Sequence, residues 1–335
     1  MTVTTKRKKA LTGIKPTGTI HLGNILGAFV PALELTNTFD TNYFIADAHS
    51  ITTVSSGDEL RKLTHEVATA WLALGLDPNT STFYRQSDIT DDFLLSWIFH
   101  CITPKGLMNR AHAYKAIVDN ATENGDKDAD ANVNMGLFSY PILMAADIIL
   151  YSADVVPVGQ DQKQHVEIAR DIAGKFNKQY GEILTVPQPM IEKSVATLPG
   201  LDHRKMSKSY NNIISIFCTD DEMWNQIKKF KTDSSPVGEP KNSDDVPLFQ
   251  LIETIAPSEI SEQLKADLAE GNYSWGSMKE TLFEQIKIRF KDARERYLEF
   301  SNDTAYVDNA LKDGATKAQE QASELMAKVR KAVGF

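Results

Sequence analysis

The chain has 335 residues, 42% of them hydrophobic and 24% charged, with a formal net charge of -9. That length suits roughly two domains, and the composition is that of a globular fold rather than a disordered or fibrous chain. Two cysteines outside any C-x-x-C spacing argue against a zinc knuckle, an iron–sulfur cluster or a disulfide framework, so Cys101 and Cys218 are expected to be reduced and structural.

The acidic balance gives no general pull toward nucleic acid, although a local basic face remains compatible with it. No run approaches about 18 consecutive apolar residues, and "MTVTTKRKKALTG" lacks the apolar centre and cleavage site of a signal peptide. A cytoplasmic protein with no membrane association is the expectation.

In chain order, residues 10–14 (ALTGI) read as a strand, "KPTGTIHLGN" as a glycine-bearing turn and "ILGAFVPALEL" as a helix kinked at Pro31. Residues 42–51 read as a second strand ending near His49, and 59–76 as a helix. Strands alternating with helices predict a parallel sheet. Residues 119–134 are polar, acidic and aperiodic, which predicts a mobile loop. Asp126, Asp128 and Asp130 have calcium-loop spacing, but Ala131 and Leu137 stand where the turn glycine and the bidentate acid belong, so calcium is rejected.

"YPILMAADIILY", residues 140–151, is an apolar run with one carboxylate inside it, Asp147. At about 100° per residue, Tyr140, Met144, Asp147 and Tyr151 share one helical face, while Ile142, Ala146 and Ile149 turn into a core. That face offers a phenol, a thioether and a carboxylate. An apolar slot with one acceptor at its end complements an indole, which has an apolar body and a single N–H donor. The competing explanation is that Asp147 pairs with a buried arginine or caps a helix.

Residues 154–159 read as a strand, 161–176 as the following helix and 213–217 as a last strand. Beyond about 218 the pattern is helical throughout, with Asp313-Gly314 punctuating the final pair.

Residues 13–24 form a glycine-bearing turn that is neither a Walker loop nor G-x-G-x-x-G. It combines the Thr17 hydroxyl, small residues that let backbone approach a ligand, and His21 beside a helix N-terminus, where exposed N–H groups favour phosphate. A plain βα turn would explain it equally if it stood alone. Residues 205–209, "KMSKS", add Lys205 and Lys208 as mobile charges able to follow negative charge building on a transferring phosphoryl group.

"HLGN" at 21–24 resembles the first signature of class I aminoacyl-tRNA synthetases, and "KMSKS" matches their second at all five positions, in the same order. Within that class, "GQDQKQHVEIARDIA" (159–173) and "YPILMAADIILY" resemble the tryptophanyl-tRNA synthetases, and the likeness runs nearly end to end. The resemblance implies an α/β fold: a Rossmann-like parallel-sheet catalytic domain over 1–217, with a helical insertion at about 59–150, and a helical anticodon-binding domain over 218–335. It implies L-tryptophan, ATP and tRNA(Trp) as substrates, Mg²⁺ held by ATP rather than by protein ligands, and a homodimer.

The roles it implies are residue by residue. Lys205, Lys208, Thr17 and His21 are catalytic. Lys15, Pro16, Thr17, Gly23, Asn24, Gly159, Gln160, Asp161, Leu198, Lys205, Met206, Ser207, Lys208 and Ser209 contact ATP. Asp147, Tyr140, Met144, Gln162, His49, Val156, Val158 and Leu11 hold tryptophan. An N-cap function for Asp161, with Gln164 closing a capping box, is compatible with its ATP contact.

Three features depart from the family pattern: Lys15 in place of glutamine, Leu11 in place of a frequent aromatic, and the segment 114–134, in which Lys115 is named as a further ATP contact. Arg289, Lys291, Arg294 and Arg296 are candidate tRNA phosphate contacts, with an ordinary solvated face as the alternative. The functional competitors are a tyrosine-specific synthetase, a non-catalytic paralogue and a small-substrate nucleotidylyltransferase. The M-A-A-D helix opposes the first, the intact lysines the second and the long helical C-terminal region the third.

Overall fold

The computed structural model describes residues 7–125, 128–131, 133–159, 162–191, 198–234, 236 and 238–335. Strand β1 (Lys9–Ile14) leads through the glycine-bearing turn into α1 (Leu22–Asn24), a π-helical turn (Ile25–Phe29) and α2 (Val30–Glu34). The bend expected at Pro31 takes this π form, because the proline nitrogen carries no hydrogen to continue the helical ladder.

There follow β2 (Asp40–Ile45), α3 (Asp47–Ser50), α4 (Gly57–Ala73), β3 (Thr82–Arg85), α5 (Thr90–Ile102), α6 (Lys105–Met108) and α7 (His112–Glu123). Next come α8 (Met135–Leu150), β4 (Val155–Val158), α9 (Lys163–Tyr180) and β5 (Gln188–Ile191). The five strands are all parallel, in the order β3-β2-β1-β4-β5. The chain runs outward from β1 in one direction and from β4 in the other, so the sheet has its topological switch between these two strands. A doubly wound sheet binds ligands at the carboxyl ends of the strands flanking such a switch.

Alternation along β2 shows how the sheet is covered. Tyr43 and Ile45 enter one hydrophobic core and Phe44 the opposite one; Phe83 and Tyr84 of β3 divide in the same way. The first core joins the segment 22–34 and α4 to the C-terminal helices α10 (Asp220–Ile227), α11 (Pro247–Ile255), α12 (Ser258–Glu270) and α13 (Trp275–Arg289). The second joins α5, α8 and α9 to α15 (Thr304–Val333), which follows α14 (Lys291–Asn302). The C-terminal helices therefore share their cores with the sheet.

Several expectations are corrected. Residues 213–217 are not a strand: Ile214 O accepts the Leu22 N–H at 2.8 Å, which ties this extended stretch to the start of α1. The fifth strand is β5, at the sheet edge, where Pro189 costs no ladder hydrogen bond. The segment 59–150, grouped above as a helical insertion, supplies β3 to the sheet. The polar stretch at 119–134 begins as the last turn of α7, while Asp126 lies outside the described residues.

Asp313-Gly314 does not break the last helix. Gly314 is where α15 meets β3: a Cβ there would lie 1.6 Å from Phe83 O. The glycine is retained for close approach rather than for a turn.

Candidate active site

At the carboxyl ends of β1 and β4 lies a cavity of about 540 Å³. Leu11 and Gly13 come from β1, Val156 and Val158 from β4, Tyr140, Met144 and Asp147 from α8, and Gln162 from the start of α9. All eight residues assigned to tryptophan thus border one space, since His49 and Leu11 line it too. Tyr151 does not: it shares the helical face but packs in the core against Tyr84, with ring centroids 5.4 Å apart.

Asp147 is 1% exposed and both its oxygens are engaged. Oδ1 accepts from Gln86 Nε2 at 2.7 Å and Oδ2 faces His49 Nε2 at 2.8 Å. Neither a buried arginine nor a helix cap compensates the acid. Each carboxylate oxygen has a second lone pair, so acceptor capacity remains toward the cavity.

His49 is not at a strand end. β2 stops at Ile45, and His49 rides on the short helix α3, which carries it across to Asp147. Gln86, fully buried just past β3, was not singled out from sequence. Its position after a parallel strand is the signal that would have found it, and the short β3 itself went unread. Asp47 fixes the pair: Oδ1 accepts the Ser87 N–H at 3.0 Å and Oδ2 the Ser87 hydroxyl at 2.5 Å. The His49 N–H in turn donates to Gln86 Oε1 at 3.3 Å. One turn of α8 away from Met144, the Tyr140 hydroxyl is 2.7 Å from His165 Nε2 and its ring lies 6.1 Å from that of His49.

Several of the residues assigned to ATP lie around the glycine-bearing turn. His21 caps α1: its Nδ1 accepts the Asn24 N–H at 3.3 Å, and its own N–H donates to Asn24 Oδ1 at 3.2 Å. Burial lowers the imidazole to about 4, so the ring is neutral at physiological pH. With Nδ1 used as an acceptor, the ring hydrogen belongs on Nε2, which leaves a neutral N–H donor for an anion. Lys15 lines the cavity and donates to Thr52 Oγ1 at 3.0 Å; burial lowers its amine. Pro16 O accepts from the buried Ser50 hydroxyl at 3.1 Å, and Thr17 is exposed in the turn.

The loop bearing Lys205–Ser209 lies against this turn. Met206 N–H donates to Leu198 O at 3.0 Å, and its sulfur accepts from the Gly23 N–H at 3.3 Å. Gly18 has φ +129, and a Cβ there would lie 2.5 Å from Lys208 Nζ. The backbone conformation favours glycine there, and a side chain would displace the Lys208 amine from its place over the turn. The Ser207 and Ser209 hydroxyls are 2.9 Å apart.

Asn212, 2% exposed, spans the loop from beneath: Oδ1 accepts the Ser207 N–H at 2.7 Å, and Nδ2 donates to Asp202 Oδ1 at 2.6 Å and Lys205 O at 3.1 Å. The hydrogen bond from Asn212 first, then the side chain, charge and backbone N–H of Arg204, hold the Asp202 carboxyl at about 2. Gly159 is exposed at the end of β4, whereas Gln160 and Asp161 lie outside the described residues.

Lys115 is exposed on α7, two residues beyond the cavity-lining Ala113. Three of the candidate tRNA contacts are committed elsewhere. Arg289 Nη1 donates to Ile255 O at 3.4 Å, Arg296 Nε to Ala73 O at 2.8 Å, and Arg294 to Ile216 O and Cys218 O at 3.0 and 2.9 Å. Arg289 and Arg296 satisfy carbonyls at the ends of α11 and α4, and Arg294 ties down the irregular stretch before α10. Lys291 is exposed. Among the described residues no group of three or more His, Cys, Asp or Glu could hold a metal ion.

A doubly wound parallel sheet, an apolar cavity at its switch point and two signature loops clasped beside it define a class I nucleotide-activating synthetase fold. Residues 4–291 match the family model "tRNA synthetases class I (W and Y)", and the chain belongs to that family. It is 47% identical over 332 residues to the tryptophan–tRNA ligase of Neisseria meningitidis serogroup A, covering 98% of each chain. It is 45% identical to that of Pseudomonas aeruginosa, covering 98% of this chain and 74% of that one. Among solved structures, the tryptophanyl-tRNA synthetase of Campylobacter jejuni complexed with ADP and tryptophan superposes with a TM-score of 0.88 at 37% identity, over 98% of this chain and 100% of that one. A tyrosyl-tRNA synthetase of Archaeoglobus fulgidus shares the fold, with a TM-score of 0.61 at 21% identity.

Proposed function

We propose that the chain is a tryptophan–tRNA ligase that activates L-tryptophan with ATP and transfers it to tRNA(Trp). The observation that carries this reading is Asp147: one buried acceptor at the end of an apolar cavity, flanked by Met144, Val156 and Leu11. Such a slot rewards a side chain with an apolar body and a single N–H, and penalises one that leaves the acid unmatched.

In the first step, a tryptophan carboxylate oxygen attacks the α-phosphorus of ATP in line, and the bond to the β-phosphate oxygen breaks, giving the adenylate and pyrophosphate. The protein contributes positioning and charge. Lys205 and Lys208 follow the charge on the departing pyrophosphate, where Mg²⁺ carried in with ATP would add Lewis-acid charge. Thr17, the backbone at Gly23 and Asn24, and the Nε2–H of neutral His21 supply neutral donors. Lys15 adds a cation between the two halves of the site. Gly159, Gln160, Asp161, Leu198 and the Met206–Ser209 segment belong to the ATP side, and Tyr140, Gln162, His49 and Val158 to the amino acid side. In the second step a terminal ribose hydroxyl of tRNA attacks the adenylate carbonyl and AMP departs.

The division at 218, with the helices beyond it reading the anticodon, belongs to the same proposal, with α15 serving the catalytic fold. A homodimer is supported by α5, on which Phe93, Trp97 and Cys101 form an exposed stripe at helical spacing, with Trp97 64% exposed. A cytoplasmic location accords with the tRNA substrate. Among the described residues no helix is long and apolar enough to cross a membrane.

The test is amino-acid-dependent ATP–pyrophosphate exchange, followed by charging of tRNA(Trp). Exchange with tryptophan and none with tyrosine supports the reading. Exchange with tyrosine alone, or with neither, overturns it.

A further inference from the structure

Behind the wall of the cavity lies a second buried acid. Asp92, on the first turn of α5, is 1% exposed, and its Oδ1 has no hydrogen-bond partner. α5 packs on α8, which brings the Asp92 carboxyl against that of Asp147. The other titratable groups around it are Tyr151 from the end of α8, Tyr84 from β3 and Asp91 on its own helix. The Tyr151 hydroxyl is also buried without a partner. Asp91 turns outward, where Gln319 Nε2 at 2.8 Å and Arg330 Nη2 at 3.4 Å meet it from α15. The charged groups acting on Asp92 are thus both acids, Asp147 and Asp91.

Two carboxyl groups facing each other in a dry interior do not both ionise, because like charge and desolvation both favour a retained proton. Their surroundings decide where that proton resides. Asp147 accepts from Gln86 Nε2, a fixed donor that favours negative charge on the oxygen it meets, and its other oxygen lies beside His49 Nε2. The Asp92 side offers phenols and an unpartnered oxygen. Burial first and Asp147 second push the Asp92 carboxyl well above the usual carboxylate range, in the same direction as the geometry.

We propose that Asp92 is a neutral carboxylic acid at physiological pH that donates its O–H to Asp147, a positioning residue that keeps Asp147 an ionised acceptor aimed at the substrate side chain. The pair then carries one negative charge. Were the proton on Asp147 instead, its O–H would turn to Asp92 and the acceptor left toward the cavity would be a neutral carbonyl, a weaker partner for an incoming N–H than a carboxylate. The location of one proton is therefore part of the specificity. The inference rests on the reading of Asp147 as the acceptor for the indole N–H.

Two measurements on the full-length protein test it. The infrared difference spectrum between wild type and Asp92→Asn at neutral pH should contain the carbonyl stretch of a protonated carboxylic acid, lost in the variant. In pyrophosphate exchange, Asp92→Asn, a neutral donor of the same shape, should keep the tryptophan KM within about threefold of wild type, while Asp92→Leu should raise it about tenfold or more at unchanged ATP KM.

Absence of the band from the difference spectrum overturns the proposal. So does a KM raised as much by Asp92→Asn as by Asp92→Leu. An unchanged KM in Asp92→Leu beside a raised KM in Asp147→Asn overturns the positioning role alone. Unchanged tryptophan KM in both overturns the reading of Asp147 on which it rests. If Asp92→Leu fails to fold, Asp92→Ala takes its place in the kinetic comparison and the same outcomes apply, while the infrared band decides the protonation state independently.

Discussion

The sulfur of Met206 accepts the backbone N–H of Gly23 at 3.3 Å, across 183 residues of sequence. This contact joins the two signature loops directly, and it sets Lys208 over the space that the missing side chain of Gly18 leaves. In the proposed reaction, position more than basicity would make this lysine useful, since a charge aimed where pyrophosphate charge develops needs no rearrangement as the bond breaks.

Replacing Lys208 by Ala should therefore depress kcat for pyrophosphate exchange by about 10²- to 10³-fold, the range for losing one preorganised transition-state contact. Tryptophan KM should stay nearly constant, because Lys208 is not among the residues lining the amino acid cavity. A rise in tryptophan KM with kcat intact would place Lys208 on the wrong substrate.

Asn212 is expected to act through the same loop. Its side chain holds Ser207 N–H, Asp202 and Lys205 O together, and Gly200 leaves room for it: a Cβ there would lie 2.4 Å from Asn212 Cγ. Asn212→Ala should lower kcat about tenfold or more through loss of loop geometry, with tryptophan KM unchanged and faster proteolysis within 204–211. An unaltered proteolysis pattern together with full activity would show that the loop holds its shape without this residue.

What the sequence disclosed follows from where its signals are local. The turn at 13–24, the loop at 205–209 and the face carrying Tyr140, Met144 and Asp147 are each encoded within a few residues. Spacing or motif suffices to read them, and the fold brings the last three to one cavity. β3 and β5 are four-residue strands whose identity comes from pairing with β2 and β4, so tertiary context decided them. Gln86 and Asp92 were invisible for the same reason. A glutamine after an unread strand and one acid of an Asp91-Asp92 pair acquire meaning only when β3 and α5 set them beside Asp147. Gly314 looked like punctuation because a glycine in a helix usually weakens it, and only the sheet shows why the position must be bare.

That glycine provides a stability test. At an exposed helical site, Gly→Ala gains about 1 kcal/mol from propensity. At Gly314 the new methyl would collide with Phe83 O, so Gly314→Ala should instead destabilise by about 1–3 kcal/mol, the typical cost of overpacking. Urea denaturation measures the sign, and a stabilised variant would mean that α15 does not rest on β3 as described.

His21 gives the pH dependence of stability a specific contribution. Burial lowers its imidazole from 6.5 in the unfolded chain to about 4 in the fold, so protons bind preferentially to the unfolded state. Its effect is absent above the unfolded value and grows as pH falls from 6.5 toward 4. At pH 5 the loss amounts to roughly 2 kcal/mol relative to neutrality. Wild type should therefore lose more stability than His21→Gln between pH 7 and 5, measured by urea denaturation. Equal losses would mean that the ring is free to protonate in the fold.

Asp147 itself carries the sharpest expectation. In Asp147→Asn one acceptor oxygen becomes an N–H₂ group, and the Gln86 Nε2 donor already claims an oxygen. If the amide oxygen turns to Gln86, the new N–H₂ lies on the His49 side. If it turns the other way, two donors meet at Gln86. Either arrangement leaves the indole N–H competing for a single oxygen in a buried site. An unmatched buried donor costs about 1–3 kcal/mol, so tryptophan KM should rise roughly 5- to 150-fold while ATP KM stays close to wild type. The change should be smaller for analogues in which the ring N–H is absent, since they make no demand on the lost acceptor. An equal penalty for tryptophan and for such an analogue would show that Asp147 supports the shape of the cavity rather than testing the donor that enters it.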